Sequence, residues 1–153
     1  MSKFNEEVYD FNLSRNLLEK FKADTEVKML LEEVVEAKIK DKEIVKKVVK
    51  ECWDIIKKNS KNDVTMEDFM NALIDIKFIA TGSQYKLLSA KHKYCNKNTL
   101  DRIIDYNESE VCRCNSLKSF VTDENGKIIK PDNFDEPETL LNLKDIIKKL
   151  SKK

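Results

Sequence analysis

The sequence predicts an all-α fold, a bundle of about five to six helices with a short loop or hairpin segment near the C-terminus. The 153 residues include only two glycines and two prolines, whereas average usage gives roughly eighteen of the two together. Sheet-rich folds are disfavoured because they need more turn residues than this. Hydrophobic residues make up 41% of the chain and charged residues 37%, a mixture typical of amphipathic helices around a core.

The first two helices are predicted from apolar residues at helical spacing. The first is expected from about Asn5 to Phe21, with an imperfect apolar stripe. Asp24 or Thr25 is expected to cap the second. The apolar stripe of the second helix consists of Val27, Leu30, Leu31, Val34, Val35 and Ile39.

The third and fourth helices carry clearer start signals. Asp41 is expected to cap the third helix, KEIVKKVVKECWDIIKK, which the SKNDVT stretch interrupts. Thr65 opens the fourth helix and Asp68 follows three residues later, an arrangement similar to a capping box. The apolar pattern then continues towards Leu88, which predicts a long core helix.

A fifth helix is expected to start at Asn98 or Thr99 and to reach about Leu117. The segment TDENGKIIKPDNFDEPET follows, and its Asn-Gly dipeptide and two prolines indicate a loop with a small hairpin. The last helix is expected from about Thr139 to Leu150, and its terminal lysines suit a helix C-terminus.

Composition disfavours several functions. Lysine and arginine number 29 and aspartate and glutamate 28, so we expect no strong nucleic-acid binding, which needs a positive surface. No stretch approaches about twenty apolar residues, and acids stand near the N-terminus where a signal peptide is basic and then apolar, so no membrane association and a cytoplasmic location are expected. The cysteines lack zinc-site spacing and are expected to be reduced thiols.

The second helix carries three glutamates on one face. Glu32, Glu33 and Glu36 fall within about a quarter turn of one another, opposite the apolar stripe. One interpretation is a solvated face, since any amphipathic helix has a polar side. The other is a Mg²⁺ site, because a cation would relieve the repulsion among these charges while it holds a polyphosphate.

A metal site of this kind needs ligands from a second helix, and the sequence offers two sets. Glu51 and Asp54 lie three residues apart on the third helix, and Asp68, Asn71 and Asp75 share one side of the fourth. Surface acids on lysine-rich helices are the alternative in both cases. Asp75 is expected to be partly buried, because apolar residues surround it in the sequence.

These motifs resemble those of the MazG-like all-α nucleoside triphosphate pyrophosphohydrolases, in particular phage-type members. Glu32-Glu33-x-x-Glu36 followed by Glu51-x-x-Asp54 is similar to the EExxE and ExxD pair of that family. Phage-type members also have a helix ending like DALADIVYVVYG, followed by EVHRSNMSKF, DENGKP and PNF. This chain has the similar strings NALIDIKFIATG, EVCRCNSLKSF, DENGK and PDNF in the same order, at positions 71–82, 110–120, 123–127 and 131–134.

The resemblance covers about residues 25–135. It implies a single MazG-like domain over residues 1–153, with its core at 25–120 and a C-terminal loop and helix at 121–153. It also implies a homodimer or homotetramer, bound Mg²⁺ with Mn²⁺ as a possible substitute, and hydrolysis of an NTP or dNTP to a nucleoside monophosphate and pyrophosphate. A phage-encoded enzyme of this type would act in the host cytoplasm.

The resemblance assigns the acidic residues to the metal and to catalysis. It implies Glu32, Glu33 and Glu36 as metal ligands, with Glu33 or Glu36 taking a proton from the attacking water. Two registers are open for the remaining ligands: Asp75 with Asn71, which the strings that follow favour, or Glu51 with Asp54. Asn71 stands where the family has aspartate, so in the first register the site loses a charge and its affinity for the metal should fall.

The resemblance places the phosphates near the end of the fifth helix. Asn115 and Lys118 match the Asn and Lys of the SNxSK string, and Arg113 is a further candidate for pairing with pyrophosphate. Arg113 and Lys118 can reach one pocket only if the helix unwinds between them. Cys112 stands where the family often has histidine, which leaves the role of that position open.

Two other functions are compatible with the sequence. The first is a catalytically weak or inactive helical module that binds or sequesters a nucleotide or a protein partner, since Asn71 and Cys112 depart from the family pattern. The second is a structural or nucleic-acid accessory protein that uses lysine-rich surfaces, which the near-zero net charge disfavours.

Overall fold

The computed structural model describes residues 3–60, 64–93, 95–123 and 127–152. The described chain forms six α-helices: α1 (Lys3–Ser14), α2 (Ala23–Glu36), α3 (Lys42–Asn59), α4 (Met66–Lys91), α5 (Lys97–Ser116) and α6 (Leu143–Leu150). Over these residues the only β pairing is an isolated antiparallel bridge between Thr122 and Ile128. The predicted all-α class and number of helices are confirmed. The predicted Asn125-Gly126 turn lies outside the described residues.

The chain forms two compact units. The first unit comprises Met1–Leu18 and Ile74–Lys153, and the second comprises Glu19–Leu73, so the boundary falls within α4. The predicted division into a core at 25–120 and a C-terminal part does not coincide with this boundary, and the single domain stays a prediction.

The core of the first unit forms around α5, which packs against α1 and α6. Its buried cluster consists of Leu88, Leu100, Ile103, Ile104 and Ile146. Leu140 and Leu141, from the segment before α6, and Leu143, the first residue of α6, pack against this cluster. Burial of these aliphatic side chains away from water is the main force that holds α5 and α6 together.

Two side chains hold the segment before α6 by its backbone. The Asn107 side chain donates from Nδ2 to the carbonyl of Leu140 and accepts from the amide of Leu140, both at 2.8 Å. His92 Nε2 lies 2.5 Å from the carbonyl oxygen of Leu141. The only histidine of the chain therefore makes a structural contact.

The second unit is built on α2 packed against α3. Of the residues described in this unit, Val45 of α3 is the buried one. The ring of Phe21 meets that of Phe69 edge to face, with centroids 5.4 Å apart, and Lys28 Nζ lies 4.7 Å from the centre of the Trp53 ring. This unit contains the acidic face of α2.

Two predicted helix starts are confirmed. The Asp41 carboxylate accepts hydrogen bonds from the amides of Glu43 at 2.9 Å and Ile44 at 3.2 Å. At the start of α4, the Asp68 amide donates to Thr65 Oγ1 at 3.1 Å and the Thr65 amide donates to Asp68 Oδ2 at 3.0 Å. Both arrangements satisfy amides that the first helical turn leaves without a backbone acceptor.

Other predicted helix boundaries are wrong by several residues. α1 ends at Ser14 and not near Phe21, because Asn16 adopts a left-handed conformation with φ 57° that cannot continue the helix. Lys22 is the N-cap of α2 and makes no side-chain cap, so Asp24 and Thr25 lie within the helix.

The starts of the last two helices are set by asparagines. The Asn96 side chain accepts from the amide of Thr99 at 3.0 Å, so α5 begins at Lys97. Asn142 accepts from the amide of Lys144 at 2.9 Å, so α6 begins four residues after the predicted Thr139. Asparagine is among the best N-cap residues, and here its cap contacts fix the register of each helix.

The prediction that α4 is a core helix is wrong. Leu88 is its only buried residue, although the helix is 26 residues long. Its exposed large apolar side chains are Met66, Met70, Ile74, Ile76, Phe78, Ile79 and Leu87. Asp75 is also exposed, contrary to the predicted partial burial, because its apolar neighbours in the sequence are themselves in contact with solvent. None of the described helices combines the length and apolarity that a membrane crossing needs.

Candidate metal and phosphate site

The acidic face of α2 is accessible. Glu32, Glu33 and Glu36 lie in the C-terminal half of α2; Glu33 and Glu36 are exposed and Glu32 is half-buried. Val34 of the predicted apolar stripe is exposed as well, so burial does not separate the acids from that stripe. Exposed carboxylates on adjacent turns can rotate towards a shared cation without any movement of the backbone.

Neither predicted set of remaining ligands is assembled into a metal cage. Glu51 and Asp54 are exposed on α3, which packs against α2 in the second unit. Asn71 and Asp75 are exposed on α4, and the boundary between the units separates them. Across the described residues, no three His, Cys, Asp or Glu side chains converge so as to hold a metal ion. Both registers stay predictions.

Asp68 has a structural role. Its carboxylate accepts from the amide of Thr65 at 3.0 Å and from the Thr65 hydroxyl at 2.9 Å. The backbone hydrogen bond from Thr65, followed by the one from its hydroxyl, lowers the pKa of Asp68. Asp68 is therefore committed to the start of α4.

Arg113 is already paired with two carboxylates. Its guanidinium donates to both oxygens of the buried Glu110 at 2.9 Å and to Asp135 Oδ2 at 2.7 Å. The hydrogen bonds from Arg113 lower the pKa of Glu110 to about 2 and outweigh its desolvation. A phosphate that binds Arg113 therefore has to compete with Asp135, the more exposed of the two partners.

The cleft beside Arg113 is predominantly acidic. It has a volume of about 290 Å³ and is lined by Glu110, Arg113, Asp135, Glu136, Glu138 and Lys149. Four carboxylates outnumber two cations there, so the cleft itself is unsuited to a polyphosphate.

The end of α5 separates Arg113 from Lys118. The helix ends at Ser116 and Leu117 is its C-cap, so the backbone leaves the helix between Arg113 and Lys118. Such an end is expected from the sequence if both side chains are to reach one pocket. Asn115 and Lys118 are each half-buried. Lys118 Nζ lies 5.9 Å from the centre of the Phe134 ring.

Cys112 is a protonated thiol at neutral pH. Burial, and next a hydrogen bond with Glu7, raise its pKa to about 11. A neutral thiol is a poor nucleophile and a poor general base. All four cysteines are free, as predicted.

Arg15 lies at the end of α5 in space but was not predicted as a site residue. This residue follows α1, and its side chain reaches the backbone that follows α5. Neither periodicity nor a motif marks it, because its partners are 101 to 104 positions away in the chain.

Comparison with known proteins returned no match among family models, curated proteins or solved structures. The similarity to MazG-like enzymes therefore rests on the motifs quoted above.

Proposed function

We propose that the protein is a Mg²⁺-dependent, MazG-like nucleotide pyrophosphohydrolase that cleaves an NTP or dNTP to a nucleoside monophosphate and pyrophosphate. The observation that carries the proposal is the ordered series of motifs, from Glu32-Glu33-x-x-Glu36 through NALID and NSLKSF to PDNF. Each string alone has low specificity in a chain rich in charge. Their common order and approximate spacing favour a shared function.

The exposed acidic face of α2 supports the metal part of the proposal. Mg²⁺ keeps several waters and is usually held by one or two carboxylates together with substrate phosphates, so it does not need a preformed cage of three side chains. Glu33 and Glu36 are accessible for this role, and Mn²⁺ should substitute. The bound ion would neutralise part of the negative charge on the phosphates. The remaining ligands stay open between the two registers.

The reaction needs a base and cations for the leaving group. Glu33 or Glu36 would accept the proton of a water that attacks the α phosphorus, while the bond from that phosphorus to the bridging oxygen breaks and pyrophosphate leaves. Lys118 and Asn115 would contact the phosphates from the end of α5. Arg113 would join them only by exchanging Asp135 for a phosphate that stays outside the acidic cleft.

The exposed apolar side chains of α4 support a homodimer or homotetramer. Met70, Ile74 and Phe78 recur every four residues, which places them along one side of α4, and contiguous exposed apolar surface marks interfaces in soluble proteins. Phe78 is 79% exposed, a fraction that burial against a second subunit would reduce.

A second candidate is a module that binds a nucleotide or a protein partner without turnover. The replacement of a family aspartate by Asn71 favours it, because a site with fewer charges holds Mg²⁺ more weakly.

One experiment separates these functions. The purified protein is incubated with each NTP and dNTP in Mg²⁺ or Mn²⁺, and pyrophosphate and monophosphate are quantified together with binding by calorimetry. We expect equal amounts of the two products, lost in Glu33→Gln or Glu36→Gln and retained in Glu19→Gln, an exposed control from the same unit. Tight binding without products would favour the binding module, and neither products nor binding would refute both functions.

A further inference from the structure

Arg15 is a buried cation that holds the end of α5. It is only 8% exposed. Its Nη2 donates to the carbonyl of Ser116 at 3.1 Å and to that of Lys118 at 2.9 Å, and its Nε donates to the carbonyl of Ser119 at 3.3 Å. One side chain therefore holds three carbonyls within four consecutive residues.

Arginine is well suited to this position. The last carbonyls of a helix lack intrahelical donors and carry the negative end of the helix dipole. A guanidinium offers five N–H groups in a rigid plane, so it can satisfy several such acceptors at once, whereas an ammonium group is a single point donor on a flexible stem. The negative ends of the three carbonyl dipoles point at the Arg15 guanidinium, so its positive charge is stabilised without a carboxylate partner.

Two aromatic rings fix the plane of the guanidinium. The Arg15 Cζ lies 4.1 Å from the centre of the Phe11 ring and 4.7 Å from that of Phe120. The negative faces of such rings attract a cation and shield it from water. Phe11 belongs to α1, and Phe120 directly follows the carbonyls that Arg15 binds. The contacts of Arg15 therefore join α1 to residues 116–120, the segment at the end of α5.

Residues 119–121 of this segment are also held by backbone hydrogen bonds with Ile129. The Ser119 amide donates to the carbonyl of Ile129 at 3.2 Å, and the Ile129 amide donates to the carbonyl of Val121 at 3.0 Å. The backbone at Lys118 is thus fixed between the contact with Arg15 and this pairing. A fixed backbone sets the direction of the Cα–Cβ bond and restricts the rotamers that the side chain can adopt.

We propose that Arg15 is the positioning residue of the NSLKSF string, and that it sets the direction in which Lys118 presents its side chain to the nucleotide. The inference rests on the proposed function for the identity of the ligand. It gives a role to the end of α1, a part of the chain that the motif resemblance does not cover.

The test compares Arg15→Gln and Arg15→Lys with Arg102→Gln, an exposed arginine of α5. We expect Arg15→Gln to raise KM for the nucleotide by about tenfold or more, the loss typical of one charge-assisted hydrogen bond. Arg15→Lys should recover only part of this loss, because lysine cannot satisfy three carbonyls in one plane. The KM of Arg102→Gln should remain that of the unchanged protein.

A double-mutant cycle with Lys118→Ala distinguishes positioning from simple destabilisation. If Arg15 acts through Lys118, Arg15→Gln should raise KM in the Lys118→Ala protein much less than in the unchanged protein. In hydrogen exchange, the amides of residues 117–121 should exchange faster in Arg15→Gln than in Arg102→Gln.

The failures of the two proposals are distinguishable. Additive effects of Arg15→Gln and Lys118→Ala on KM, or an unchanged KM in Arg15→Gln, would overturn the positioning role while activity of the unchanged protein upholds the enzyme. Absence of both nucleotide binding and turnover in the unchanged protein would refute the proposed function, and the positioning role with it.

Discussion

Changing Glu110 to glutamine is expected to destabilise α5 and its surroundings by about 2 kcal/mol at neutral pH. The Arg113 guanidinium holds the pKa of Glu110 at about 2, compared with an ordinary value of 4.5. At about 1.4 kcal/mol per unit of pKa, this difference corresponds to about 3 kcal/mol of stability. The Arg113 side chain is 38% exposed and Asp135 63%, so solvent screening reduces the expected effect to about 2 kcal/mol.

The effect of Glu110 has a defined pH dependence. A carboxylate whose pKa is lower in the folded protein contributes its full stability above the unfolded value of 4.5, and loses it as pH falls towards 2. The difference between the unchanged protein and Glu110→Gln should therefore be largest near pH 7. It should shrink steadily below about pH 4.5, as the glutamate of the unfolded chain takes up its proton.

The free energy is best measured locally, because the chain forms two units and global unfolding need not be two-state. Hydrogen exchange of the α5 amides reports the opening energy of that helix, and circular dichroism during urea unfolding follows the whole chain. Asp105→Asn is the matched control, since Asp105 is exposed on the same helix. A loss below about 0.5 kcal/mol, or one that stays constant from pH 7 to pH 3, would show that the ion pair of Glu110 with Arg113 does not stabilise the fold.

Three further predictions concern other parts of the chain. Asp41→Ala should lower the free energy of unfolding of the second unit by about 1 kcal/mol, because two amides of α3 lose their acceptor. Urea unfolding followed by the fluorescence of Trp53 measures this loss, and an unchanged midpoint would contradict the prediction. Cys112 should react with iodoacetamide at pH 8 much more slowly than the exposed Cys95, because its pKa is about 11; mass spectrometry of the labelled peptides would reveal the opposite order. Phe78→Glu should shift an oligomer to monomers in sedimentation while it leaves helix content unchanged, and a protein that is monomeric before the change would contradict the interface on α4.

Features that depend on neighbours in the sequence were predictable. The all-α class follows from composition, and the caps at Asp41 and at Thr65 with Asp68 follow from residues two or three positions apart. The extent of α1 was not predictable, because apolar residues beyond Asn16 continue a helical pattern while the backbone turns away at that residue.

Features that depend on distant parts of the chain could not be predicted. Periodicity predicts that the apolar residues of α4 are buried, but burial requires a partner surface, and the described part of the chain covers little of α4 beyond Leu88. Asp75 is exposed for the same reason. The contacts of Arg113 with Asp135 and of Arg15 with the end of α5 join residues that no local pattern connects.

The proposed function depends on the carboxylates of α2, which would support metal-dependent cleavage of a nucleotide. The most direct test measures pyrophosphate release from NTPs and dNTPs in Mg²⁺ by the unchanged protein and by Glu33→Gln and Glu36→Gln, with folding of each variant verified by circular dichroism. We expect at least one nucleotide to yield pyrophosphate and monophosphate in equal amounts, and both folded variants to lose this activity. Full activity in both variants, or no pyrophosphate from any nucleotide with the unchanged protein, would refute the proposed function.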